Sequence, residues 1–114
     1  MVSLSTYVPD RGEVVWLSLN PQSGHEQAGR RPALVVSPKL YNARVGLGLF
    51  CPISSQIKGY PFEVVIPAGF PVPGCILSDQ VKSLDWVIRH ATFIDFLPQS
   101  IIGEVIEKIS LLIG

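Results

Sequence analysis

The sequence predicts a mainly β domain with one C-terminal helix, folded as a closed or nearly closed antiparallel barrel. Ten glycines and ten prolines divide the 114 residues into short segments. The segments between these turn residues are rich in β-branched side chains, which favour strands. Short strands at this spacing are typical of antiparallel barrels. The length corresponds to a single domain, residues 1–114, and we place no internal boundary.

Several segments carry the strand pattern. The segment PALVVS is continuously apolar, as expected of a strand buried on both faces. The stretch PAGFPVPG (67–74) is predicted to be an irregular loop, because proline cannot donate to a sheet ladder. The predicted strands are 13–19, 32–37, 46–54, 62–66, 74–77, 80–84 and 86–91.

Only the end of the chain carries helical periodicity. Proline is favoured at the first position of a helix, and Pro98 stands where the pattern begins. Apolar side chains then recur at 3.6-residue spacing, which predicts a helix packed on the barrel. The members of this stripe are Ile101, Ile102, Val105, Ile106, Ile109, Leu112 and Ile113.

The composition indicates a folded protein with apolar surface to cover. Hydrophobic residues make up 47% of the chain and charged residues 16%, which excludes a disordered chain. Because monomers rarely expose large apolar patches, we expect a homodimer or a bound partner. Cys51 and Cys75 lie in apolar runs without CxxC spacing or neighbouring histidines, so we expect buried, inert thiols and no metal site.

The formal net charge is zero, but the charges are unevenly distributed. Residues 1–60 carry six basic and three acidic side chains, and residues 61–114 carry three basic and six acidic ones. A basic first half is compatible with a phosphate-binding face, and equally with charges scattered over a solvated surface. The start MVSLSTYVPDRG lacks a secretory pattern, and no apolar run reaches ~20 residues. We therefore expect a cytoplasmic protein with no membrane contact.

The segment NPQSGHEQAGRR (20–31) collects most of the reactive side chains. Twelve residues is long for a connection between strands in a small domain, and such loops are usually functional. With no assembled metal site, this set suits RNA transesterification, in which the substrate 2′-OH attacks the neighbouring phosphorus. His and Glu transfer protons, and an arginine fork stabilises the phosphorane. The side chains in question are His25, Glu26, Gln27, Arg30 and Arg31.

Simpler interpretations of these residues remain open at this point. Glu26 can pair with one of the arginines in an exposed salt bridge of little energetic value. Arg31 precedes a proline and can serve only to anchor the start of a strand. Asp79 can be a turn residue that binds its own backbone.

The sequence NPQSGHEQAGRRPALVVSP resembles the signature of the MazF/PemK toxins, and most closely that of the MazF branch. The likeness continues through CPISSQIKGYPFEV (51–64), SDQVKSLDW (78–86) and the terminal ISLLIG. The resemblance implies an SH3-like barrel of the CcdB/PemK type, working as a homodimer. It implies metal-independent cleavage of single-stranded RNA (mRNA) at short motifs, without a cofactor, leaving 2′,3′-cyclic phosphate and 5′-OH ends. It also implies a MazE-like antitoxin with a flexible acidic tail that competes with RNA.

The resemblance assigns roles position by position. Arg31 matches the arginine of the family's RP motif and acts in proton transfer or on the phosphorane. Glu26 matches the acidic loop residue, as a base or as a partner that orients Arg31. Ser54 stands where many relatives have a threonine that contacts the scissile phosphate. His25 and Asp79 match the PemK/Kid branch, as phosphate-stabilising residue and base. The remaining candidates are RNA contacts, namely Gln27, Arg30, Gln56, Lys58, Gln80 and Lys82.

One position departs from this pattern and two alternative functions remain. The PemK branch has an arginine where this chain has Leu77, so the assignment of base and acid stays open. CcdB-like gyrase poisons share the fold without nuclease activity, but this chain has the HEQAGRRP loop and ends in LLIG, without a tryptophan-bearing tail. A degenerate relative would bind RNA or antitoxin without cutting.

Overall fold

A computed structural model describes residues 7–19 and 29–114. In chain order the strands and helices begin and end as follows: β1 Glu13–Ser18, β2 Arg30–Val35, α1 Lys39–Val45, β3 Gly48–Ser54, β4 Glu63–Val65, β5 Cys75–Leu77, β6 Lys82–Leu84, β7 Thr92–Phe96 and α2 Gln99–Ile113. A short 3-10 turn, Ser78–Gln80, connects β5 to β6.

All the strands pair antiparallel in the order β4-β5-β3-β2-β1-β7, with β6 also on β3. Strand β3 is central because it changes partner along its length. Its start pairs with β6 (Gly48↔Leu84) and its end with β5 (Ser54↔Cys75), while β2 lies along its other edge. Within the described residues β4 and β7 do not pair, so the curved sheet stays open there. The antiparallel, mainly β fold with a C-terminal helix is confirmed.

The sheet separates two apolar clusters. Strand β1 shows why, since successive side chains of a strand point to opposite faces: Val14 joins one cluster and Val15 the other. Helix α2 covers the first cluster with buried Ile102 and Val105, so the predicted C-terminal helix is confirmed. Trp86 closes the second cluster and donates its indole N–H to the Asn42 carbonyl oxygen at 3.1 Å.

Two predicted features of the fold are wrong. The strand expected at 86–91 is a turn, because the Asp85 carboxylate accepts the backbone N–H groups of Val87 and Ile88 at 3.0 and 2.9 Å. His90 there adopts a φ of 55°. The strand is instead β7, which begins at Thr92 and which the sequence patterns did not indicate.

The second error is that α2 is not the only helix. Helix α1 follows Pro38 and ends at Gly46, whose φ is 80°. Buried Asn42 anchors it by donating to the carbonyl oxygens of Pro9 and Ser37 at 2.8 and 3.0 Å. A helix of two turns held by one buried amide carries little apolar periodicity. In the part of the chain that is described, no helix is long and apolar enough to cross a membrane.

Candidate functional site

Two predicted catalytic residues, Arg31 and Ser54, lie at the same end of the antiparallel β2–β3 pair. The ladder pairs Leu34 with Cys51 and Ala33 with Pro52. The ladder ends at the Ala33–Pro52 pair, and Arg31 and Ser54 each lie two residues beyond it, at the same end of the two strands. They border different grooves, Arg31 those beside Phe50 and Trp16 and Ser54 the one beside Asp79. The sequence order alone, with 22 intervening residues, does not reveal this proximity.

A cleft of about 190 Å³ lies beside the end of β3. It forms because β5 and β6 both pair with β3, which places the 3-10 turn between them next to that strand. Five of the predicted site residues meet here, together with three that were not predicted to line a site. The lining residues are Ser54, Gln56, Lys58, Tyr60, Glu63, Leu77, Asp79 and Gln80.

The Ser54 hydroxyl is fixed by a local turn. It accepts the Gln56 backbone N–H at 3.1 Å and lies 3.3 Å from the Gln56 carbonyl oxygen, to which it donates. That carbonyl oxygen is also 3.6 Å from the Cys75 sulfur. The hydroxyl therefore has a defined position at the wall of the cleft.

Asp79 and Gln80 are exposed on the 3-10 turn and line the cleft opposite the Ser54 turn. Asp79 therefore lies in a turn and also lines the cleft. Burial, and secondarily the Asp79 charge, raises the pKa of the Cys51 thiol beneath the site to about 12. Burial raises the pKa of the Cys75 thiol as well. Both cysteines are free and buried, as predicted.

Arg31 is exposed at the start of β2, where its guanidinium donates to the Arg30 carbonyl oxygen at 2.9 Å. It borders two shallow grooves. One has an apolar floor that includes Phe50 and is also bordered by Lys82, and the other is bordered by Trp16 and Arg30. Arg31 at the start of β2 therefore belongs to a surface that also carries Arg30 and Lys82.

Arg30 contacts its own fold extensively. Its guanidinium donates to the Ser18 hydroxyl at 2.9 Å and to the Thr92 hydroxyl at 2.8 Å. It also donates to the carbonyl oxygens of His90 and Trp16, at 2.9 and 3.3 Å. The side chain thus connects β2 with β1 and β7. An RNA contact by Arg30 stays a prediction, whereas its structural contacts are evident.

The predicted residues His25, Glu26 and Gln27 lie outside the described residues. In residues 7–19 and 29–114, no group of three or more His, Cys, Asp or Glu side chains is arranged to hold a metal ion.

Sequence patterns missed Glu63, Arg89 and Tyr60. The Glu63 carboxylate accepts the backbone N–H groups of Lys58 and Gly59 at 3.1 and 2.9 Å. Arg89 donates to the carbonyl oxygens of Ser18 and Leu19 at 2.9 and 3.0 Å. The one available signal was that Tyr60 and Glu63 fall inside the KGYPFEV motif.

Comparison with known proteins identifies the family of the chain. Residues 10–113 match the model of the family described as PemK-like, MazF-like toxin of type II toxin–antitoxin system. The chain is 45% identical to the endoribonuclease toxin MazF of Escherichia coli over 111 residues, 97% of this chain and 99% of the relative.

Solved structures extend the likeness to the fold. A MazF crystal structure from Deinococcus radiodurans has a TM-score of 0.86 at 50% identity, covering 96% of this chain and 99% of that one. A MazE–MazF structure from the same organism has a TM-score of 0.87 at 45% identity, covering 96% and 98%. The chain therefore belongs to the family of PemK-like, MazF-like toxins of type II toxin–antitoxin systems.

Proposed function

We propose that this toxin is a metal-independent endoribonuclease that cuts single-stranded RNA at short sequence motifs. The observation that carries the proposal is the cleft at the end of β3, which Ser54 and Asp79 both line, with Arg31 exposed at the start of the neighbouring strand β2. The endoribonuclease activity itself follows from family membership, since the relatives that match over nearly the whole chain are endoribonucleases.

The chemistry is attack of a ribose 2′-OH on the adjacent phosphorus, with departure of the 5′ oxygen. The new bond closes a 2′,3′-cyclic phosphate, and the leaving oxygen takes a proton to become a 5′-OH. The Arg31 fork stabilises the charge that develops on the phosphorane, and the Ser54 hydroxyl contacts a phosphate oxygen. The two proton transfers fall to Asp79, Glu26 and His25.

Other polar side chains bind the RNA strand. Lys58 and Lys82 neutralise flanking phosphates, which makes binding dependent on salt. The amides Gln27, Gln56 and Gln80 contact base edges or ribose, where single-stranded RNA is read. Arg30 contributes mainly by holding the strand that carries Arg31.

The proposal includes two protein partners, an antitoxin and a second copy of the chain. It also includes a cytoplasmic location. A MazE-like antitoxin with an acidic tail competes with RNA for the cationic surface. A second copy of the chain covers exposed apolar side chains of β7 and α2, among them Phe96 and Ile113, which are 60% and 81% exposed.

The test is incubation of the purified protein, free of antitoxin, with a long single-stranded RNA in excess EDTA, followed by mapping of the cut ends. Discrete cuts with cyclic phosphate ends support the proposal. A folded protein that does not cut, or that cuts only after a divalent metal is restored, contradicts it. Binding to gyrase by such a protein would favour the CcdB-like alternative.

A further inference from the structure

One exposed aromatic side chain of the cleft has no place in the chemistry described above. Tyr60 is 62% exposed although it lines the cleft together with Ser54 and Asp79. A tyrosine ring combines a large apolar face with a polar hydroxyl, which is why tyrosine is enriched at binding interfaces.

The turn that presents Tyr60 is anchored on several sides. Glu63 accepts two backbone N–H groups of the turn, from Lys58 and Gly59, and its own N–H donates to the Tyr60 carbonyl oxygen at 3.1 Å. The Lys108 ammonium donates to the Pro61 carbonyl oxygen at 2.7 Å. The backbone on both sides of Tyr60 is therefore held in place, and its ring is presented to the cleft rather than packed into the core.

A cation accompanies the ring. The Lys58 ammonium lies 5.8 Å from the centre of the Tyr60 ring. An aromatic face combined with a cation is the pairing that single-stranded nucleic-acid sites use, since the ring stacks on a base and the cation meets a phosphate. Amides at positions 56 and 80 add hydrogen-bonding groups around the same cleft.

We infer that Tyr60 forms a nucleobase-stacking subsite next to the scissile phosphate, with Lys58 on the adjoining backbone phosphate. The inference rests on the proposed function and adds a position at which the enzyme holds its substrate. The ring holds the base by stacking, so this subsite tolerates different bases, and its contribution lies in binding and in placing the phosphate at Ser54.

The test uses a short single-stranded RNA that contains one mapped cleavage site, with 2′-deoxyribose at the scissile nucleotide so that it is not cut. Binding is measured by fluorescence anisotropy with the full chain and with Tyr60→Leu, Tyr60→Phe and the control Tyr41→Leu. Tyr41 is a matched control because it is also an exposed tyrosine, at 42%, but it lies on α1 away from the cleft. Circular dichroism checks that each variant is folded.

The inference predicts that Tyr60→Leu weakens binding about 10- to 100-fold, while Tyr60→Phe and Tyr41→Leu stay within about 2-fold of the original chain. A series of oligonucleotides, each with one abasic nucleotide, then locates the stacked base. At that single position the removal of the base and Tyr60→Leu are not additive, because each removes the same contact.

Three results overturn the inference while leaving the proposed function intact. Tyr60→Leu can bind the oligonucleotide as tightly as the original chain. Tyr60→Leu can weaken binding by the same factor for every oligonucleotide of the abasic series. That result shows that the ring contacts no single base and acts only through the fold. Tyr60→Leu can lose affinity for an acidic antitoxin peptide but not for RNA, which makes the ring a protein contact. If the unsubstituted protein binds no RNA, the proposed function is wrong, and the stacking subsite that rests on it is wrong as well.

Discussion

A Cβ atom at position 74 would lie 2.0 Å from the carbonyl oxygen of Ser54, so the chain just before β5 approaches the end of β3 as closely as only glycine permits. Gly74 also has a φ of 118°, a conformation that other residues rarely adopt. The contact is to backbone, which cannot move aside as a flexible side chain does.

We therefore expect Gly74→Ala to lower the free energy of unfolding by about 2–4 kcal/mol, measured by urea denaturation. Gly103→Ala is the control, because a Cβ in that exposed helical position meets nothing within 4 Å. This control should be neutral or stabilising by up to about 1 kcal/mol. Equal stability of Gly74→Ala and the original chain would contradict the close approach.

Arg31 is expected to act on the rate and not on the fold. Its guanidinium is exposed and is the proposed stabiliser of the phosphorane, so Arg31→Ala should slow single-turnover RNA cleavage by about 10²- to 10³-fold with an unchanged urea midpoint. Arg31→Lys keeps the positive charge but loses the planar guanidinium with its paired N–H donors. Its cleavage rate should therefore lie between the rates of Arg31→Ala and of the unsubstituted protein. A cleavage rate unaffected by either substitution would remove Arg31 from the mechanism.

Arg30 should show the opposite behaviour. Its guanidinium holds the Ser18 and Thr92 hydroxyls on two strands, so Arg30→Ala should cost about 1–3 kcal/mol of unfolding free energy. Arg30→Lys should not restore it, because one ammonium cannot reach the same set of acceptors. If Arg30→Ala is fully stable but binds RNA poorly, the side chain is an RNA contact as the sequence analysis supposed.

The two thiols should be unreactive in the native protein. Burial raises the pKa of Cys51 to about 12 and raises the pKa of Cys75 as well, so at about pH 8 both carry less thiolate than an ordinary cysteine. At about pH 8 an alkylating reagent should modify neither cysteine until urea is added, when both react. The raised pKa values also mean that this contribution to stability is complete below about pH 8.5 and is lost as the pH rises beyond it. Rapid alkylation of native protein, followed by mass spectrometry, would show that the sheet opens readily.

Glu63 should support the cleft through the Lys58–Gly59 backbone. Glu63→Gln keeps one acceptor oxygen but loses the charge that strengthens hydrogen bonds to backbone N–H groups. We expect RNA affinity to fall about 3- to 10-fold, corresponding to the loss of part of one charge-assisted hydrogen bond. Glu104→Gln, on the exposed face of α2, is the matched control. An effect of equal size in both variants would indicate a general charge effect and not a specific anchor.

The features that sequence patterns predicted share a physical cause. Strands such as β1 and the helix α2 follow from apolar periodicity, which is a local property. Helix α1 and the turn after Asp85 depend on single polar contacts, by Asn42 and by the Asp85 carboxylate, which leave no periodic trace.

The residues of the site also divide into those that the sequence predicts and those that it does not. Arg31, Ser54 and Asp79 were identifiable because they lie in motifs with a known chemistry. Ser54 and Asp79 line one cleft because β3 pairs with β5 and β6, and the spacing along the chain does not encode this pairing. Glu63 was missed because its role lies in hydrogen bonds to the backbone N–H groups of a turn.

The central claim is that the substrate supplies its own nucleophile to a phosphate held between Arg31 and Ser54. The most direct test compares two oligonucleotides in excess EDTA that differ only in the scissile nucleotide, ribose in one and 2′-deoxyribose in the other. The account predicts cleavage of the first, no cleavage of the second, and affinities equal within about 2-fold. Cleavage of the deoxy-substituted oligonucleotide at a similar rate would mean that water attacks instead, and the account would be wrong.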